Sequence, residues 1–178
     1  MVARKIKKKP RIMKLVRKDV DDINTPAWVV EKILDVIPGN VSTIWECCSG
    51  DGHITDVLRE HGYEVISTDI KEDAEYDMFK YEPSGGYDMI LTNPPFSKKT
   101  KVLERLYELD KPFLILCPSF MIETAARFEL FQGHGIVLFL MKERIAFEGM
   151  PRKCPFFCYW FGHKLGTHYP ENSIHYLD

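Results

Sequence analysis

The chain has 178 residues, 45% hydrophobic and 28% charged, the size and composition of one soluble globular domain. No apolar run approaches the roughly 18 residues of a membrane span, and no apolar segment follows the basic N-terminus as a secretory signal requires. Five cysteines without repeating spacing exclude a disulfide scaffold.

The net charge of −2 hides an asymmetry: residues 1–18 hold nine Lys or Arg and no acid, and the remaining 160 residues hold 15 basic and 26 acidic residues. A basic arm over residues 1–22 on an acidic domain over 23–178 reads as a phosphate-seeking tail, because nonspecific nucleic-acid affinity is mostly Lys/Arg neutralising phosphate. The same run also reads as a solvated tail, or as a nuclear localisation signal. A cytoplasmic protein is expected, or a nuclear one if the host is eukaryotic.

From about residue 23, helix and strand patterns alternate, which predicts an α/β fold with a mostly parallel sheet. Thr25 as N-cap and Pro26 at the first helical position open a helix over 26–37, with Val29, Val30, Ile33, Leu34 and Ile37 as its apolar stripe. A strand over 41–48, a helix to about 61 and a second strand over 63–68 follow. A short third strand is expected near 78–81, then a clear one over 87–92. The helix over 99–109 buries Val102, Leu103, Leu106 and Tyr107. A strand over 113–117, a helix near 122–131, and last strands over 136–141 and 156–161 complete the pattern. The long loop over 142–155 carries Arg144, Arg152 and Lys153, expected, with Lys98 and Lys99, to meet phosphate.

Glu46-Cys47-Cys48-Ser49-Gly50-Asp51-Gly52 lies between a strand and a helix, where glycine lets backbone approach a ligand at the carboxyl edge of the sheet. Asp69, followed by Ile70, ends the next strand 17 residues after Gly52, where an acid grips a ribose diol. Thr55 stands where a dinucleotide fingerprint needs its third glycine, which disfavours nicotinamide. Asp77 with Met78 has the character of an adenine contact: an acid for the amine and an apolar cover for the ring.

Asn93-Pro94-Pro95-Phe96 terminates a strand, because two prolines cannot donate to the ladder. The prolines stiffen the backbone that presents Asn93 and Phe96. An aromatic amine is a poor nucleophile, and hydrogen-bond acceptors on both its N–H groups favour the positive charge that develops as it reacts. The Asn93 side-chain oxygen and the Pro94 carbonyl are the candidates, with Phe96 stacking on a flat substrate.

These motifs resemble the class I S-adenosylmethionine-dependent methyltransferases of the amino-group type, which carry Asn-Pro-Pro-(Tyr/Phe), over about residues 24–161. Thr25-Pro26 resembles the segment that folds over the methionine end of the cofactor in γ-ordered DNA adenine-N6 methyltransferases. Glu46, Gly50 and Gly52 match the glycine motif, Asp69 the ribose acid, Asp77 and Met78 the adenine segment, and Asn93 to Phe96 the catalytic motif. The resemblance implies a Rossmann-like, seven-stranded, mostly parallel sheet with an antiparallel last strand and helices on both faces. It further implies S-adenosylmethionine as cofactor and adenine N6 in DNA as acceptor. RNA adenine, cytosine N4, a protein glutamine amide, or a non-catalytic nucleic-acid-binding subunit are the alternatives.

Cys48 departs from the small residue usual at its position. Only about 17 residues follow the last predicted strand, too few for the target-recognition domain of the γ-ordered enzymes. Specificity then falls to the basic arm, the 142–155 loop, a partner subunit or a homodimer. Cys154, Cys158, His163 and His168 lack the tight Cys-x-x-Cys hairpin of structural zinc, and no metal site is expected.

Overall fold

Apolar runs bounded by Pro, Gly and Asp produce seven strands in the computed structural model, which describes residues 23–150 and 152–178. The basic arm over 1–22 lies outside the described residues. The strands are β1 (Thr43–Glu46), β2 (Glu64–Ser67), β3 (Met89–Thr92), β4 (Phe113–Pro118), β5 (Val137–Met141), β6 (Cys158–His163) and β7 (Ile174–Leu177). They form one sheet in the order β2-β1-β3-β4-β6-β5-β7. β1 to β4 run parallel, β6 is antiparallel to both β4 and β5, and β7 lies parallel to β5. The sheet is thus seven-stranded and mostly parallel, with its antiparallel strand near the end.

Helices cover both faces because β1, β3 and β4 alternate two apolar sets, each buried on its own side. On one face, Ile44, Met89, Leu91, Leu114 and Leu116 pack against α1 (Ala27–Glu31) and α2 (His53–Glu60) through Val29, Val30, Ile54 and Leu58. On the other, Trp45, Ile90, Phe113 and Ile115 meet α3 (Lys99–Leu109) and α4 (Ala125–His134) through Val102, Leu103, Leu106 and Phe131. Buried indoles are tied by hydrogen bonds from Trp45 Nε1 to Thr68 Oγ1 (2.9 Å) and from Trp160 Nε1 to the Val29 carbonyl (3.2 Å).

Four elements differ from the sequence expectation. The helix over 26–37 divides into α1 and a 3-10 turn at Leu34–Val36, where Val36 and Ile37 bond three residues back. Pro26, extended at φ −62° and ψ 143°, is the N-cap in place of Thr25. The third strand near 78–81 is a turn: the Asp77 carbonyl accepts from Lys80 and Tyr81 (both 2.8 Å), and its side chain accepts from the Phe79 amide (3.2 Å). Those bonds withdraw the segment's amides from any ladder. The seventh strand comes instead from β7, beyond the last predicted one, in register from Leu138–Ile174 to Met141–Leu177. Finally, α4 starts at Ala125 because the Thr124 side chain caps it, three residues later than expected.

Candidate active site

β1, β2 and β3 lie side by side and end at one edge, with β1 continuing to β2 on one flank and the sheet to β3 on the other. Such a switch in strand order opens a crevice outside the carboxyl ends. A cavity of about 570 Å³ occupies it.

The glycine loop forms its floor. Gly50 and Gly52 adopt φ of +54° and +86°, in the left-handed region that side chains disfavour, and Gly52 caps α2. A Cβ at Gly50 would meet nothing within 4 Å, so the strain lies in the backbone and the space beside the loop is open. Asp69 closes the loop from β2: one carboxylate oxygen accepts from the Gly50 amide and the other from the Lys71 amide, both at 2.9 Å. Each oxygen retains a second lone pair for a ligand hydroxyl.

Glu46 ends β1 at only 1% exposure and accepts a hydrogen bond from the Thr55 hydroxyl. Burial pushes its carboxyl up to about 8, against the opposing pull of that bond. Cys47 and Cys48 approach the Met78 sulfur at 4.0 and 3.5 Å, joining the loop to the 77–81 turn. The bond with Cys47, and then burial, hold the Cys48 thiol well above its ordinary range.

Opposite this floor, Asn93 follows β3. Its side-chain nitrogen donates to the Thr25 hydroxyl at 3.1 Å, across 68 residues of chain. Its side-chain oxygen is buried and has no hydrogen-bond partner. A buried acceptor left without a donor costs about 1–3 kcal/mol unless a ligand satisfies it.

The cavity wall brings together Thr25, Glu46, Cys47, Cys48, Ser49, Gly50, Asp69, Ile70, Asp77, Met78, Asn93, Pro95 and Lys98. Pro26, Gly52, Pro94 and Phe96 are not among the lining residues. The stacking role expected of Phe96 does not match its placement. Its ring is 1% exposed and packs edge-on against Phe147 and Phe156, with centroids 6.4 and 6.3 Å away. Burying an aromatic ring in the core stabilises by about 1.5–3 kcal/mol, which holds it there. The Pro94 carbonyl, expected as a second acceptor, likewise belongs to a residue outside the wall.

Of the cations expected at phosphate, Lys98 is exposed at the rim with its ammonium 5.2 Å over the Phe79 ring. Lys99 turns inward, donating to the Phe96 carbonyl and lying 5.1 Å over Phe120. Arg144, Arg152 and Lys153 are exposed and do not line the cavity, Lys153 beside Glu143 at 3.5 Å.

Sequence reasoning missed Asn24, His53, Tyr76 and Phe79, which also line the cavity. Asn24 donates to Asp51 at 2.8 Å and bridges Glu148, and Glu148 pairs with His53 at 3.4 Å. The adjacency of Asn24 to Thr25, of His53 to Gly52 and of Phe79 to Met78 was the available signal.

Neither a protein-family model nor a curated protein sequence matches this chain. Solved structures do resemble it. A putative class I S-adenosylmethionine-dependent methyltransferase from Listeria monocytogenes aligns with a TM-score of 0.57 at 10% identity, over 89% of this chain and 67% of that one. The methyltransferase subunit of a type I restriction-modification system from Streptococcus thermophilus gives 0.52 at 10% identity, over 79% and 44%. The type IIG restriction endonuclease BpuSI gives 0.50 at 12% identity, over 91% and 27%. The chain therefore spans less than half of the restriction-modification subunit and little more than a quarter of the endonuclease. These likenesses define the fold as that of the class I methyltransferases.

Proposed function

We propose that this chain is an S-adenosylmethionine-dependent methyltransferase acting on an exocyclic amine, with adenine N6 in DNA as acceptor. The observation that carries the reading is the Asn93 side-chain oxygen, buried without a donor after β3 on an amide whose nitrogen donates to the Thr25 hydroxyl. The wall fits the cofactor: Asp69 for a ribose diol, Asp77 and Met78 for adenine, the glycine loop and Glu46 for the amino-acid end.

S-Adenosylmethionine, when bound, supplies a methyl group on an electrophilic sulfonium. The chain's own contribution is to orient and stabilise. The bond from its nitrogen to Thr25 fixes the Asn93 amide and leaves its oxygen as the acceptor without a partner. An amine N–H that reaches this oxygen is positioned, and the positive charge growing on its nitrogen is favoured in a site shielded from water. No side chain has to remove a proton beforehand. The target base enters flipped or unpaired, since N6 is inaccessible within a stacked duplex.

DNA is preferred over RNA and protein on two grounds. The similar folds include the methyltransferase subunit of a type I restriction-modification system and a type IIG restriction endonuclease, and the arm over 1–18 is basic. We assign residues 23–178 as the methyltransferase domain and residues 1–22 as a nucleic-acid-seeking arm. A partner subunit or second copy supplies sequence specificity.

The test is transfer of labelled methyl to DNA, RNA and protein, followed by mass spectrometry of the products. N6-methyladenine from DNA is expected; 4-methylcytosine or methylglutamine would replace the acceptor. Asn93→Ala should lower turnover by about 10²–10³-fold, the cost of losing one such stabilising group, while calorimetry shows cofactor binding retained. Undiminished turnover would remove Asn93 from the mechanism. Absence of cofactor binding at millimolar concentration would leave only a non-catalytic subunit.

A further inference from the structure

Beside the cofactor-sized cavity lies a groove of about 860 Å³, and the two share Asp77, Phe79, Ser97 and Lys98. Residues 23–178 hold 15 Lys and Arg against 23 Asp and Glu, yet six of those 15 cations line this groove. They are Lys80, Lys98, Lys99, Lys101, Arg105 and Arg127, facing three carboxylates. A cationic channel on an acidic body is an electrostatic footprint for a polyanion.

Its floor is rigid. Arg105 donates to the carbonyls of Met78 (3.2 Å) and Tyr81 (3.4 Å) and pairs with Glu108 at 3.0 Å, offsetting one of the three acids. Arg127 is buried and donates to the Met121 carbonyl and the Thr100 hydroxyl. The exposed Lys80, Lys98 and Lys101 make no ion pair among the described residues. Phe79, half-buried, stands at the junction of groove and cavity beneath the Lys98 ammonium.

We propose that this groove carries the phosphodiester backbone of an unpaired nucleic-acid segment, with Phe79 as the stacking platform for a base at its entrance to the cavity. The proposal rests on the reading that a nucleobase amine meets Asn93, and adds the route by which it arrives. Phe96, buried and not among the lining residues, leaves that platform to Phe79. A single strand suits a groove that pairs spaced ammonium groups with one aromatic face, because every base can stack and every nucleotide carries a phosphate.

The test uses the full chain and a fluorescein-labelled single-stranded DNA 12-mer, with RNA of the same sequence as a second arm. In Lys80→Glu/Lys101→Glu, the dissociation constant should rise about tenfold and the salt slope fall by about one to two, at roughly 0.7 per phosphate contact on a single strand. Neither lysine lines the cofactor cavity, so cofactor affinity by calorimetry should hold. Phe79→Ala should weaken binding by about five- to a hundredfold, the equivalent of one base stack. A 5-iodouracil oligonucleotide should crosslink to Phe79.

If the wild-type chain binds the oligonucleotide but both variants leave affinity and salt slope unchanged, the groove is overturned while the function stands. Crosslinks confined to the 142–155 loop would overturn it equally. Equal binding of RNA keeps the groove and moves only the acceptor. If the chain binds neither oligonucleotide yet methylates a protein amide, the functional reading falls and the groove with it.

Discussion

Glu46 ionises against its surroundings. Its carboxyl is raised from an ordinary 4.5 to about 8, mainly by burial, so the folded chain holds a proton there that the unfolded chain releases much earlier. The folded value lies above the unfolded one. The stabilisation is therefore complete below about pH 4.5 and is lost as pH rises through about 8. Replacing Glu46 with Gln should flatten this part of the stability profile, measured by urea denaturation across pH. A cationic ligand favours the carboxylate, so cofactor binding at about pH 7 should release a proton. Calorimetry in buffers of different ionisation enthalpy reads that release, and Glu46→Gln should abolish it. The glycine loop gives a second test. Gly52→Ala places a side chain at φ +86° and should cost about 1–2 kcal/mol, seen as a lowered Tm.

The loop between β5 and β6 is long, and sequence reading treats it as a phosphate-contacting surface. Its exposed cations leave that expectation untouched, and its buried residues also make the loop a structural strap. Ile145, Phe147 and Cys154 are buried, the Cys154 amide donates to the Ile145 carbonyl at 2.7 Å, and Glu148 bridges Asn24. Phe147 packs against Phe96, three residues after Asn93 in the chain. Phe147→Ala should therefore cost about 3–5 kcal/mol in urea denaturation, as large core aromatics do, and should also lower turnover by loosening the support of Asn93. Loss of stability with undiminished turnover per folded molecule would separate strap from site. The short segment over 77–81 shows the same competition. Its apolar content favours a strand, but Asp77 bonds the following amides locally, and the turn carries Met78 to the cavity and Phe79 to the junction with the groove.

Of the 24 Lys and Arg, nine lie in the arm over 1–18 and six line the groove, on a body that is acidic in sum. Deleting residues 1–18 should weaken nucleic-acid binding and flatten its salt dependence, while the groove variants shift the remaining slope. An unchanged slope after deletion would make the arm a bystander. Among the described residues, no helix is long and apolar enough to cross a membrane. Apart from the third and seventh strands, the order of strands and helices was legible in the chain, as was the placement of the glycine loop, Asp69 and Asn93 at strand ends. Period, proline and capping are short-range signals, and these elements obey them. The division of the first helix, β7 in place of a third strand, the inward turn of Phe96 and the clasp of Thr25 on Asn93 were not. β7, the Phe96 contacts and the Thr25 bond join surfaces far apart in the chain, so they are decided by which apolar faces bury together and which polar atoms then need partners. Local pattern placed the asparagine after β3 at the edge of the sheet; tertiary packing gave its nitrogen the Thr25 hydroxyl and left its oxygen buried without a donor.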